Sequence, residues 1–574
     1  MGLIGKETKG RMMSTLIRDR IGELIVEGLR AAQGSGALPS FEVPQVPVER
    51  SSQPEHGDFG SPICLRLAGE ARMAPRQIAA QTIDHLPEAP FVERVEVAGP
   101  GYINFTLETD WLTRQVLEIL AGGQTWGNLD QGEDQRVQVE FVSANPTGPI
   151  TVASTRNAVI GDTLASVLAA AGYEVEREYY INDAGSQVRK FGESIYARYA
   201  QALDEDEPLP ENGYQGEYVA EIGRVVAEEY GDRYMERPRQ EAIRALGQIG
   251  IDRMLDWIER DLRALNIQFD NWFHERMLYE SGLFERIIDR LRQNDYITER
   301  EGAVWFTSDE LEADAVVIRS SEVIPNPAER PTYFGSDVAY MWDKLVDRGF
   351  DRAIYVWGAD HHGDVPRVKA AASALGLDPD RLEIILYQMV NLKRGDQDVR
   401  MSKRAGRFVT LEELLEEVGP DPIRFMLLTC TVDATIDFDL DLAVEQSDKN
   451  PVYYVQYAHA RISSILRHAE DLGWDLKADA DVSFLTHESE LALIHKMLEW
   501  REILSLAADQ RAPHHLTFYA KDLAATFHSF YRDCRVVDAN APELTRARLM
   551  LVRAARIVLA RVLHLMGMTA PERM

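Results

Sequence analysis

Arg136-Val-Gln-Val-Glu140-Phe-Val-Ser143-Ala-Asn145-Pro146-Thr147-Gly148-Pro149 is the stretch whose reading decides the fold. Val137, Val139 and Phe141 alternate with Gln138 and Glu140, the period of a β-strand. Asn145 to Pro149 is turn chemistry, in which proline stiffens the backbone and glycine lets a ligand come close to it. From Thr151 to Gly172 the apolar residues Ile160, Leu164, Val167, Leu168 and Ala171 return at helical spacing, and Glu176 to Ile181 reads as another strand. Strand, helix, strand is the unit of a doubly wound parallel sheet. Ligands of such sheets bind beyond the carboxyl ends of the strands, where a helix N-terminus offers unpaired N–H groups to phosphate. The pattern resumes at Ala353 to Trp357 and at Leu382 to Val390, and the mostly helical stretch from about 195 to 325 reads as an insertion.

On the N-terminal side, residues 14–34 carry Ile17, Ile21, Leu24, Ile25 and Leu29 at helical spacing. Strand-like pieces follow at Val43 to Pro47, Val92 to Val97 and, after the turn Gly99-Pro-Gly101, Tyr102 to Phe105. The polar, Gly-rich segment Gly122 to Asp134 is a linker. From about Leu440 the chain is almost entirely helical, with runs at Glu488 to Ala507, Leu516 to Val536 and Pro542 to Met566, which pack naturally as a bundle. The expected fold class is therefore α/β, a Rossmann-type parallel-sheet domain over residues 131–440 with a helical insertion. A small α/β domain over 13–130 precedes it and an all-α bundle over 441–574 follows. Met12-Met13 stands just before the first amphipathic run, so residues 1–12 read either as an over-called start or as a loose, disordered extension.

A chain of 574 residues with 45% apolar and 27% charged residues is a multidomain globular protein rather than a fibrous or disordered one. No apolar run reaches the length of a membrane span, and no secretory signal pattern opens the chain, which points to the cytoplasm and to no membrane partner. Cys64, Cys430 and Cys534 match no metal or redox spacing and read as buried thiols. A net charge of −31 argues against a generally basic nucleic-acid binder but leaves room for local arginine and lysine clusters that meet phosphates.

Downstream lies Arg400-Met401-Ser402-Lys403-Arg404-Ala-Gly406, a cationic loop in which a lysine can stabilise charge on transferring phosphates. Taken alone, such a string is an ordinary solvated basic loop, and Pro-Thr-Gly-Pro alone is only a turn. Gly358-Ala-Asp360-His361-His362-Gly363 follows a strand and reads as a second ligand loop at the sheet's carboxyl end. Adjacent histidines rarely converge on one ion, and no further His or Cys is spaced to help, so no metal site is expected.

Many motifs in order resemble one family, the arginyl-tRNA synthetases, which are class I aminoacyl-tRNA synthetases. His56-Gly-Asp58-Phe59 and Gly99 to Phe105 are similar to that family's N-terminal tRNA-contacting domain. Arg177 to Gly185, Pro331 to Tyr340 and Gly358 to Gly363 resemble its catalytic core. Asp437-Phe-Asp439, Val452 to Arg461, Phe527 to Tyr531 and Pro571 to Met574 resemble its anticodon-binding bundle. The resemblance implies activation of arginine by ATP to an arginyl-adenylate, followed by transfer to the 3′ end of arginine tRNA. It implies ATP and Mg²⁺ as a substrate complex with no tightly bound cofactor, and a monomer. It assigns arginine binding to Glu140, Ser143, Asn145, Tyr333 and Asp337. A planar guanidinium is well met by carboxylates such as Glu140 and Asp337, leaving Ser143 and Asn145 for the α-amino end. It assigns ATP binding to Pro146, Thr147, Gly148, Gly358, Asp360, His361, Met401 and Lys403, and catalysis to Lys403, Ser402, Thr151 and Ser154.

One signature departs from the family. Where it carries His-x-Gly-His, this chain reads Thr151-Val152-Ala153-Ser154. Hydroxyls of Thr151, Ser154 and Thr155 can donate hydrogen bonds, and the helix N-terminus keeps its backbone donors. Losing a single preorganised donor typically costs ~10²–10³ in rate. Two readings follow: a working ligase whose phosphate site is rebuilt around hydroxyls and Lys403, or a catalytically weak paralogue that binds arginine or tRNA as a regulator.

Overall fold

The strand that begins at Arg136 is the middle of a five-stranded parallel sheet. In a computed structural model describing residues 16–51, 53–324, 326–395, 397–399 and 409–574, five strands form this sheet: β1 (Arg136–Glu140), β2 (Glu174–Ile181), β3 (Asn271–His274), β4 (Arg352–Gly358) and β5 (Leu382–Tyr387). Their spatial order is β5-β4-β1-β2-β3, all parallel, with Glu140 beside Glu178 on one side and Tyr355 on the other. The order reverses between β1 and β4, and that crevice is where a doubly wound sheet binds its ligand. All of Val137 to Glu140 is buried, because helices cover both faces.

Helix α1 (Val152–Ala170) follows β1 and is buried over most of its length. At Gly161 it lies directly on Phe141, and a Cβ there would fall 2.2 Å from the ring. The insertion begins with α2 (Ser186–Ala202), α3 (Glu217–Tyr230) and α4 (Arg239–Ala264), which share their own core around Phe191, Tyr199, Ile222 and Leu246. The expectation of helix from about 195 to 325 needs correction beyond that point. Asn271–His274 is the edge strand β3 of the central sheet, and Ile297–Arg300, Ala303–Phe306 and Ala315–Ile318 form an antiparallel meander. The meander's short apolar runs, such as Ala315-Val-Val-Ile318, are too brief for helical periodicity to be told from strand.

In the N-terminal module, the helix Ile17–Gly34 and the strands Val92–Ala98 and Tyr102–Leu107 fall as expected. Val43 to Pro47 is not a strand; Pro44 and Pro47 lack the N–H that a ladder needs, and pairing starts only at Glu49–Arg50. The helix Thr109–Gly122 buries Leu112, Val116 and Ile119 in the large core shared by the catalytic sheet and the bundle. The bundle consists of helices at Pro451–Asp471, Glu488–Leu498, Trp500–Asp509, His515–Asp533 and Pro542–Leu565. Buried Arg424 fastens it to the catalytic domain: it donates to Asp162 of α1 at 2.5 Å, to the Leu265 carbonyl at 2.9 Å, and to the Met566 carbonyl at the end of the last helix. No helix among the described residues is long and apolar enough to cross a membrane. Residues 1–12, read as an over-called start or a loose extension, lie outside the described residues.

Candidate active site

The handover from β1 to α1 is tightly engineered. Val142 and Ser143 both have positive φ, 65° and 41°, and the Ser143 N–H donates to the Phe141 carbonyl at 2.9 Å, closing a γ-turn. For side chains other than glycine such backbone costs about 1–3 kcal/mol each and persists only where neighbours over-determine it. Here Asn157 of α1 does so: its Oδ1 accepts from the Val142 N–H at 2.7 Å while its Nδ2 donates to the Val356 carbonyl of β4 at 2.7 Å. One buried amide therefore pins the ends of both strands flanking the crevice.

Beyond the turn, Asn145 is exposed, Pro146 and Thr147 are buried, and Gly148 is half-buried. Thr151 is the N-cap of α1 in extended conformation, yet its side chain makes no capping bond. The first-turn amides of α1 thus keep no side-chain acceptor, which suits them to an anion. Thr155 turns its hydroxyl to the Thr151 carbonyl at 3.0 Å, so that group serves the helix, while Ser154 is half-buried.

At the carboxyl end of β1 a cluster of acidic side chains gathers. Glu140 is buried, and its Oε2 accepts from Lys344 Nζ at 2.5 Å while Oε1 accepts from Ser143 Oγ at 3.0 Å. Ser143 Oγ in turn accepts from the Tyr180 N–H at 3.2 Å. Lys344 is fully buried between the rings of Tyr340 and Tyr355, 3.9 and 3.8 Å from their centroids. Burial pulls its ammonium below the ordinary lysine range, and Glu140 and Glu178 pull it back up. It stands in a π-turn, Asp343–Asp347, that continues helix α5 (Tyr333–Trp342), a feature frequent at functional sites.

Asp337, in the middle of α5, has no hydrogen bond or ion pair among the described residues. Burial, together with the charges of Glu140 and Glu275, pushes its carboxyl well above the ordinary aspartate range. Lys344 offsets this only in part. Glu275 is held by Ser336 Oγ at 2.7 Å and Tyr279 at 3.2 Å, and burial raises it too. Tyr333, at the first turn of α5, is 54% exposed at the rim. Next in the sheet, Glu178 of β2 is bound by Arg348 at 2.6 Å, by Gln138 at 2.5 Å, and by Tyr340 and Asn271. Burial pushes the Glu178 carboxyl up, but Arg348 and Lys344 outweigh it and hold it below the ordinary glutamate range.

On the other side of the crevice, Gly358 ends β4 and the turn Ala359–Asp364 exposes Asp360, His361 and His362. His361 Nδ1 lies 3.2 Å from Asp364, and among the described residues no cluster of His, Cys, Asp and Glu could hold a metal ion. Thr410 pairs with Thr151 in an isolated antiparallel bridge, and the Leu411 N–H donates to the Ile150 carbonyl at 2.8 Å. The chain at Thr410–Leu411, downstream of the second signature, therefore lies against the N-terminus of α1. Met401, Ser402 and Lys403 themselves lie outside the described residues.

Sequence reading passed over four residues that the fold brings to this site: Lys344, Glu178, Arg156 and Asn157. Arg156 is fully buried and donates to the carbonyls of Gln388 at 2.6 Å, Ala434 at 2.8 Å and Thr431 at 3.0 Å, tying α1 to the far wall. A lysine and an arginine on helices otherwise rich in apolar residues were the available signal, since such groups are seldom fully buried without partners.

Comparison with known proteins places this geometry. The arginyl tRNA synthetase N-terminal domain model matches residues 15–107, the class I tRNA synthetase (R) catalytic domain model residues 115–423, and the DALR anticodon-binding domain model residues 455–574. The chain belongs to the arginyl-tRNA synthetases. It is 46% identical to the arginine–tRNA ligase of Dehalococcoides mccartyi over 560 residues, covering 97% of this chain and 99% of that one. It is also 46% identical to that of Moorella thermoacetica over 577 residues, covering all of both. The arginyl-tRNA synthetase structure from Thermus thermophilus superposes with a TM-score of 0.75 at 26% identity, covering 97% of this chain and 100% of that one. The Rossmann-type class I architecture expected from Arg136 to Ile181 is thus that of the family.

Proposed function

We propose that this synthetase is a working arginine–tRNA ligase whose nucleotide site operates without the paired histidines. As a class I enzyme of this family it joins arginine to tRNA at the expense of ATP. The observation that carries the reading is the carboxylate of Asp337, which has no hydrogen bond or ion pair among the described residues and whose charge Lys344 offsets only in part, near Glu140 at the carboxyl end of a parallel sheet. A guanidinium supplies the remaining positive charge, with a planar fork of donors suited to a carboxylate. Because Lys344 already neutralises Glu140, Asp337 is the principal partner, and Glu140 with Ser143 shapes the pocket and lends a second acceptor edge. Tyr333 closes the rim, and Asn145 meets the α-amino end.

ATP, brought with Mg²⁺, lies across the crevice between β1 and β4. Pro146, Thr147 and Gly148 line one side, and Gly358, Asp360 and His361 the other. The α-carboxylate of arginine attacks the α-phosphorus, and pyrophosphate leaves. Charge growing on the phosphates meets the first-turn amides of α1, the hydroxyls of Thr151 and Ser154, and the loop of Met401, Ser402 and Lys403. The tRNA 3′ hydroxyl then attacks the adenylate carbonyl, and AMP leaves. The protein acts as a monomer in the cytoplasm. Full-length identity to arginine–tRNA ligases supports this reading over that of a binding paralogue.

Aminoacylation tests it: purified protein, ATP, Mg²⁺, labelled arginine and arginine tRNA of its own organism. Robust charging is the expected result. Retained arginine and tRNA binding without charging would make the chain a binding protein.

A further inference from the structure

Tyr218 stands at the start of α3, in the helical insertion, far from both signatures in sequence, yet it reaches the nucleotide loop. Its hydroxyl donates to the Thr147 carbonyl at 2.7 Å. The same hydroxyl lies 3.3 Å from where a Cβ on Gly148 would be, so the tyrosine covers the Thr147–Gly148 peptide directly. The ring is itself held: it folds back over Gly216, where a Cβ would clash at 2.3 Å, and sits beside Tyr214. Tyr214 donates to Gln187 at 2.6 Å and packs edge-on against Phe191, which anchors this wall to α2 and the insertion core.

A trans peptide is planar, with its C=O and N–H pointing opposite ways. Fixing the Thr147 carbonyl toward Tyr218 therefore fixes the Gly148 N–H away from the insertion. That N–H has no acceptor among the described residues. Its neighbour does not share the freedom, since the Thr147 N–H is spent on the Asn145 carbonyl at 2.7 Å. A free amide held in one direction, one turn of chain before the uncapped N-terminus of α1, is a preorganised donor.

We propose that Tyr218 is a positioning residue for ATP, holding the Gly148 amide as a donor to the nucleotide in a site that lacks the family's histidines. The helical insertion thereby forms one wall of the ATP subsite. This rests on the ligase reading above for the identity of the nucleotide, but not for its own test.

The test is Tyr218→Phe, which removes only the hydroxyl. Binding of a non-hydrolysable ATP analogue and of arginine is measured separately by calorimetry on the full-length protein and the variant. Arginine-dependent pyrophosphate exchange, with tRNA present, is measured alongside. One hydrogen bond's worth of ordering predicts a loss of about three- to tenfold in analogue affinity and in kcat/KM for ATP. Arginine affinity should stay as in the unmodified protein, while losing the bond to the buried Thr147 carbonyl lowers the melting temperature slightly. Unchanged analogue affinity, equal losses for arginine and analogue, or no analogue binding by the unmodified protein would each overturn the proposal. If exchange and charging are absent from the unmodified protein, the ligase reading fails, and the analogue affinities of the two forms still decide the role of Tyr218.

Discussion

Replacing Asp337 with asparagine separates two effects that the pocket combines. Asparagine keeps the size and one acceptor oxygen but removes the charge. An ionised partner contributes about 1.5–3 kcal/mol to a hydrogen bond, so arginine affinity should fall by roughly 10- to 150-fold. The sign of the stability change is opposite. In the arginine-free protein, burial and the neighbouring Glu140 and Glu275 raise the carboxyl's proton affinity well above that of the unfolded chain. A raised acid binds more protons folded than unfolded, so it lowers stability as pH climbs from the ordinary aspartate range through the raised value. Asp337→Asn removes that penalty and should stabilise the empty protein at neutral pH while weakening arginine binding. Binding arginine to the unmodified protein requires the ionised form, so affinity should weaken as pH falls below the raised value, and binding should release a proton. In the variant that pH dependence should flatten. Calorimetry in two buffers of different ionisation enthalpy counts the proton, and urea unfolding of the empty protein gives the stability. Arginine affinity unchanged by the substitution, or a variant less stable than the parent at neutral pH, would refute the reasoning.

Lys344→Met should be among the most damaging single changes, because it leaves Glu140 buried without its cation, at about 3–5 kcal/mol. Urea unfolding measures it, and adding Glu140→Gln should recover most of the loss. Asn157→Ala strands the buried Val142 N–H and should cost about 1–3 kcal/mol while loosening the γ-turn, visible as faster amide exchange from 141 to 148. Lys403→Ala should lower pyrophosphate exchange far more than arginine affinity, and equal losses would count against a role in the transition state.

Four strands of the sheet were legible because short alternating or apolar runs alternate with helical patterns, whereas β3, Asn271-Trp-Phe-His274, is too short to show a period. The polar positions along β1 were harder. Gln138 and Glu140 alternate with valines as on a half-exposed strand, but both faces are covered, and these side chains join an internal network with Glu178 and Lys344. No period announces that pairing, since the partners come from three elements joined only by the tertiary fold. Asp337 could be assigned by resemblance, but its lack of a partner could not. Nor could the reach of Tyr218, because a tyrosine opening an amphipathic helix is ordinary. The strand expected at Val43 failed because side-chain alternation ignores the backbone donors that proline removes.

The two signatures are separated by most of the catalytic domain, and the Thr151–Thr410 bridge joins their flanks. Whatever shifts Thr410 moves the backbone that caps α1, so Thr410–Leu411 and the first turn of α1 are mechanically one unit. This bears on the missing histidines. A histidine donor acts through a flexible side chain and its charge state, whereas a backbone amide acts through the helix that fixes it. On the reading proposed above, a site relying on amides needs a rigid backbone there, and positive φ at Val142 and Ser143, the Asn157 amide and the Arg156 cation hold this stretch in place. Substitutions at those supports should then harm ATP use as severely as substitutions at Thr151 or Ser154, although none of the supports needs to touch the nucleotide.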